Sequence, residues 1–219
     1  MIKGAIFDVD GTILDTMEIW EEMGERYLHS LGIEAEPNFS EILFTMTVPE
    51  GAAYTKKRYQ LKQSEEEITQ GILDMIRDFY YYEAPAKEGV IDFLKGMQQH
   101  GIPMVVATSC EREHVERAFE RLGILDCFAK IFTCTEVGAG KTSPLIYQTA
   151  AGYLDAKPEE VLVFEDAIHA ITTASAAGFV TVAVAEAYGR QAAEEMKAHT
   201  TYYIQDWTDT DAFWDLLRK

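Results

Sequence analysis

Asp8 and Asp10, in the run Phe7-Asp8-Val9-Asp10-Gly11-Thr12, set two carboxylates two residues apart. On an extended segment positions i and i+2 share a face, so both can address one substrate in different roles. Asp8 can attack phosphorus as a carboxylate nucleophile, and Asp10 can exchange protons with the leaving and attacking oxygens. Gly11 permits the sharp turn that aims both. Alone, an Asp-x-Asp is more often a turn or a solvated pair, so its chemistry depends on partners elsewhere in the chain. Thr108-Ser109, Lys141 and Glu165-Asp166 supply hydroxyls, an ammonium and two further carboxylates.

Those groups follow short apolar runs. Residues 2–7, 103–107, 130–133, 161–164 and 179–184 have the length of buried strands. Between them lie stretches of helical period: Val90, Phe93, Leu94, Met97; then Val115, Ala118, Phe119, Leu122; then Ile146, Ala150, Tyr153, Leu154. Alternating strand and helix predict an α/β fold built on a doubly wound, mainly parallel sheet. Ligands bind such sheets outside the carboxyl ends of the strands, where Asp8, Asp10, Thr108, Ser109, Lys141, Glu165 and Asp166 converge. Four adjacent carboxylates are costly unless a cation sits among them, and hard oxygen ligands suit Mg2+. Metal, lysine and hydroxyls together make a receptor for a phosphoryl group.

One segment breaks the alternation. From residue 16 to residue 84 the pattern is helical only, with helices expected over 16–31, about 40–46, 49–59 and 64–82. Ser64 and Glu67 have the spacing of a capping box. The expected organisation is therefore a catalytic core of residues 1–15 and 85–219, interrupted by an all-helical cap of residues 16–84. The joints are expected hinges and the cap a lid.

The chain has 219 residues, with 19 Lys plus Arg against 37 Asp plus Glu and a formal net charge of −18. That balance repels phosphate backbones and anionic lipid headgroups, which argues against nucleic acid and membrane surfaces as partners. No protein partner is implied. Cys110, Cys127 and Cys134 have neither disulfide-framework nor metal-ligand spacing. No apolar run reaches the length of a spanning helix, and Asp8 interrupts the start before a signal segment forms, so a cytoplasmic protein is expected.

At these residues the sequence resembles the haloacid dehalogenase superfamily of aspartate-nucleophile phosphotransferases. Four motifs stand in order: Phe7-Asp8-Val9-Asp10-Gly11-Thr12, Ala107-Thr108-Ser109, Lys141 three residues before Pro144, and Phe164-Glu165-Asp166. Ala174-Ser175-Ala176-Ala177-Gly178 also looks like the helix that follows the fourth motif, and the helical insert matches the small-cap subgroup. The resemblance implies a Rossmann-like core in which Asp8 becomes the aspartyl-phosphate and Asp10 is general acid, then base. Gly11, Thr108, Ser109 and Lys141 would hold the phosphate, with Lys141 also orienting Asp8. Mg2+ would take Asp8, the backbone carbonyl of Asp10 and Asp166, helped by Glu165. The implied activity is hydrolysis of a small phosphorylated metabolite.

Two departures from the family pattern stand out: Leu145 replaces an Asp common after the proline, and Lys87-Glu88-Gly89-Val90 replaces a proline before the Gly-Val pair. Beta-phosphoglucomutases carry a histidine on the first cap helix and an Arg-x-Lys-Gly stretch. Here Trp20 stands near that histidine's place and the cap's basic run is Lys56-Lys57-Arg58, which favours hydrolysis over a mutase. A phosphosugar mutase and a non-catalytic phosphate-binding protein are the alternatives. Lys56-Lys57-Arg58, Arg112, Glu18 and Trp20 could each face substrate or simply pack and solvate.

Overall fold

The computed structural model describes residues 1–43, 46–186 and 193–217. The chain divides into two compact units, residues 1–15 with 85–219, and residues 16–84.

In chain order, β1 (Gly4–Phe7) is followed by the helical unit, α1 (Met17–Ser30), α2 (Phe39–Leu43), α3 (Val48–Tyr59) and α4 (Glu65–Asp78). The larger unit then continues with α5 (Val90–Gln99), β2 (Met104–Thr108), α6 (Arg112–Leu122), β3 (Phe128–Thr133), α7 (Cys134–Val137) and α8 (Leu145–Tyr153). It closes with β4 (Val161–Glu165), α9 (Ile168–Ala176), β5 (Val180–Val184), α10 (Ala193–His199), β6 (Tyr202–Ile204) and α11 (Asp211–Leu217). The six strands form one sheet in the order β3-β2-β1-β4-β5-β6, with every pairing parallel. The winding direction reverses between β1 and β4, so this is the doubly wound sheet that the alternation predicts.

Every residue of β1, β2 and β4 is buried, as strands covered by helices on both faces must be. Successive residues feed opposite cores. Ile6, Val105 and Val163 pack with Ile146 and Tyr147 of α8 on one face. On the other face Phe7 and Phe164 stack at 4.2 Å, and Phe93, Trp207 and Phe213 close around them. These buried rings add large apolar side chains to the core where β1 pairs with β4.

Most element bounds shift by one or two residues from the sequence expectation, and three elements differ in ways that have a local reason. β3 starts at Phe128 rather than 130, with its first three residues half-buried or exposed and only Ile131–Thr133 buried. β6 is a three-residue edge strand, too short to show a period. The stretch read as one helix over 64–82 is an α-helix to Asp78 and a π-helical turn over Phe79–Glu83. Of the helix expected over 40–46, residues 44 and 45 lie outside the described residues.

Within the helical unit, Ile68, Ile72 and Ile76 make the buried stripe of α4. Its start is the expected capping box: Glu67 N–H donates to Ser64 Oγ at 3.1 Å, and Ser64 N–H donates to the Glu67 carboxylate at 2.7 Å. Of the tyrosine run, Tyr80 is fully buried and Tyr82 is 72% exposed. No helix among the described residues is long and apolar enough to cross a membrane.

Candidate active site

β1 delivers Asp8 directly. The ladder to β4 runs one residue past the strand, with Asp8 N–H donating to Phe164 O at 3.0 Å. The chain then turns tightly: Val9 O accepts N–H groups from Thr12, Ile13 and Leu14, and Gly11 N–H donates to Leu14 O at 2.9 Å. Gly11 has φ +74°, and a Cβ there would stand 2.3 Å from Asp166 Oδ2. Glycine is therefore required twice, by conformation and by clearance. Its N–H is spent on Leu14 O, so Gly11 shapes the turn that carries Asp10.

β4 delivers Glu165 and Asp166 beside Asp8, at the switch point of the sheet. Lys141 bridges the two strand ends: its ammonium pairs with Asp8 Oδ1 and, at 2.6 Å, with Glu165 Oε1. All three side chains are nearly inaccessible. Among the described residues, Asp8, Glu165 and Asp166 form a group whose ligand oxygens all lie within 4.8 Å of one another. Asp10 follows in the turn, half-buried. Thr108 and Ser109 stand at the end of β2, the strand paired to the other side of β1. Thr108 Oγ1 accepts from Cys110 N–H at 2.9 Å, which leaves the hydroxyl proton for an acceptor. Neither residue caps α6, whose N-cap is Glu111.

The electrostatics follow from burial. Desolvation pulls the Lys141 pKa down, but the Asp8 and Glu165 carboxylates outweigh it and hold the ammonium well above its ordinary value. Burial, then Asp8, push Glu165 up against the pull of Lys141. Burial and Asp8 also push Asp166 up, to about 8, with Glu186 adding to the rise. Three carboxylates against one ammonium leave excess negative charge, and Glu165 Oε2 is buried with no hydrogen-bond partner among the described residues. An orphaned buried oxygen among hard oxygen donors fits a divalent cation such as Mg2+.

A pH dependence follows. An unfolded Asp titrates near 3.9, so between about pH 4 and pH 8 the folded metal-free chain keeps a proton that the unfolded chain releases. Stability of the metal-free protein should therefore fall as pH rises through that window. Melting curves with chelator, for wild type and Asp166→Asn, check it: the slope contributed by this group should vanish in the variant.

Tyr147 was not anticipated. It is fully buried on α8, and its hydroxyl donates to Glu165 Oε1 at 2.8 Å. Burial, then the Glu165 charge, hold its pKa far above the usual phenol value, so it stays a donor. Tyr147→Phe should cost about 1.5–3 kcal/mol, the worth of a hydrogen bond to a charged group, as read by urea unfolding. Glu186 has no place in the sequence reading and Lys87 enters it only as a departure from the family pattern, yet both lie against the Gly11 turn. Glu186 follows the end of β5, so the strand-end rule applied to the fifth strand would have found it.

Other candidates are committed elsewhere. Arg112 makes a two-pronged pair with Glu136, both contacts at 2.6 Å, and donates to Ile131 O. Lys56 donates to the carbonyls of Leu61 and Gln63 just past α3, and Arg58 pairs with Glu36. Trp20 Nε1 donates to Tyr80 OH at 3.3 Å, and Glu18 is exposed. The basic run thus mainly fastens its own unit.

A profile of the haloacid dehalogenase-like hydrolase family matches residues 5–184. The validoxylamine A 7'-phosphate phosphatase of Streptomyces hygroscopicus subsp. limoneus is 27% identical over 195 residues, covering 89% of this chain and 91% of its own. The phosphorylated carbohydrates phosphatase of Thermotoga maritima is 26% identical over 178 residues, covering 81% of this chain and 82% of its own. Among solved structures, a candidate beta-phosphoglucomutase from Thermotoga maritima superposes with a TM-score of 0.87 over 98% of this chain and 100% of its own. At 21% identity that likeness shows the shared fold alone.

Proposed function

The chain belongs to the haloacid dehalogenase-like hydrolase family, and on that premise we propose that it is a Mg2+-dependent phosphatase of a small phosphorylated metabolite, working through an aspartyl-phosphate on Asp8. The observation that carries this reading is the Lys141 ammonium held between the buried carboxylates of Asp8 and Glu165, with Asp166 beside them. The two relatives named as phosphatases, of validoxylamine A 7'-phosphate and of phosphorylated carbohydrates, support a small phosphate ester as substrate.

Lys141 pairs with Asp8 and aims it, so its carboxylate oxygen attacks phosphorus. Asp10 gives a proton to the departing ester oxygen, and the alcohol leaves. Water then attacks the phosphorus of the aspartyl-phosphate, Asp10 takes its proton back, and inorganic phosphate and Asp8 are regenerated. Thr108 and Ser109 donate hydrogen bonds to the phosphoryl oxygens, and Lys141 balances their charge. Asp8, the Asp10 carbonyl, Asp166 and Glu165 would hold Mg2+, which when bound neutralises charge on the transferring group.

The test is release of inorganic phosphate from a panel of small phosphate esters, with Mg2+ and with a chelator. Release that requires Mg2+ supports the reading. Isomerisation of a sugar phosphate that needs a bisphosphate primer would replace it with a mutase. Phosphate binding without turnover on any ester would replace it with a non-catalytic phosphate-binding protein.

A further inference from the structure

Lys87 lies just after the return from the helical insertion, where its backbone N–H donates to Ile13 O at 2.8 Å. Its ammonium has three protons and three acceptors: Gly11 O at 2.6 Å, Ala185 O at 2.8 Å and Glu186 Oε2 at 2.7 Å. The pair is secluded, with the Lys87 and Glu186 side chains 15% and 3% exposed. One side chain therefore joins the turn after β1, the segment after β5 and the return from the insertion.

Both routes from this ammonium lead to Asp166. A Cβ on Gly11 would stand 2.3 Å from Asp166 Oδ2 and 3.2 Å from Glu186 Oε2, so both carboxylates pack against the side of this turn that lacks a side chain. Gly11 is pinned through both its peptide planes. Its N–H, in the plane that carries the Asp10 carbonyl, bonds Leu14 O, and its own carbonyl bonds Lys87. A left-handed turn held at both planes cannot swing, so the carbonyl and carboxylate it positions stay in place.

We propose that Lys87 is a positioning residue of the cation site, fixing the Asp10–Gly11 turn and holding the Glu186 carboxylate beside Asp166. Outer partners of this kind orient groups that touch the metal, and their loss typically weakens metal affinity by about 10–100-fold. The proposal rests on the reading of the acidic group as a Mg2+ site, and it is independent of what the site then hydrolyses.

Calorimetric titration of the full chain with Mg2+ tests it, in wild type, Lys87→Met and Glu186→Gln, alongside kcat and KM on p-nitrophenyl phosphate. Lys87→Met should weaken Mg2+ binding by about 10–100-fold and lower kcat at limiting Mg2+, with KM changed less than about twofold. Glu186→Gln keeps the ammonium on both carbonyls and should weaken binding less. Should Lys87→Met fail to fold, Lys87→Met/Glu186→Gln leaves no unpaired buried carboxylate and is read in its place. Mg2+ binding equal to wild type, whatever the melting temperature, overturns the proposal, because a purely structural tie would move stability alone. A wild type that binds Mg2+ but releases no phosphate overturns only the phosphatase reading. A wild type that binds no Mg2+ overturns both.

Discussion

Asp8→Asn lowers phosphate release by about 10^4-fold or more while the protein still folds. The first part follows from chemistry: an amide oxygen is a far weaker nucleophile than a carboxylate, and no covalent intermediate can form without it. The second part follows from the site. Lys141 pairs with two carboxylates, and removing the charge of Asp8 leaves it paired with Glu165 at 2.6 Å. Asp8 also raises the cost of ionising Glu165 and Asp166, so its neutralisation eases the burial of both. Initial rates at saturating Mg2+ and a cooperative melt measured on the same preparation check both halves. Equal release by wild type and variant would show that Asp8 is not the nucleophile.

The opposite partition is expected at Lys141. Lys141→Met keeps the length of the stem and removes the ammonium that bridges two buried carboxylates, which leaves both without their counter-charge. Breaking a buried pair from one side costs about 3–5 kcal/mol, a large share of the stability of a domain this size. Urea unfolding of the metal-free variant should show that loss, together with near-complete loss of turnover. Lowering the pH should recover part of the stability, because protonating Glu165 removes its buried charge. A variant as stable as wild type would mean that the Lys141 bridge contributes little to the fold.

Taken together, the two substitutions separate what the site does from what it costs. On these expectations Asp8 is nearly dispensable to the fold and decisive for the reaction. Lys141 serves both, because a carboxylate trio cannot be buried beside an orphaned oxygen without a compensating charge.

The order of the first five strands and the helical insertion after the first were legible in the sequence, for a physical reason. Strands buried on both faces must be short and wholly apolar, so their ends announce themselves by the first polar residue. The polar groups at the ends of β1 and β4 meet because a doubly wound parallel sheet leaves them nowhere else to go. Only the tertiary structure decided the rest. Tyr147 donates to Glu165 across eighteen residues, and Lys87 reaches Glu186 across ninety-nine, contacts with no local spacing to betray them. Gly11 reads as a turn residue in sequence, yet its lack of a side chain matters equally because Asp166 occupies the place of its Cβ. Arg112 and Lys56 bear the same charge as Lys141 and are drawn instead to Glu136 and to backbone carbonyls. A side chain's type fixes what it can donate or accept, and the fold alone settles which partner lies within 3 Å.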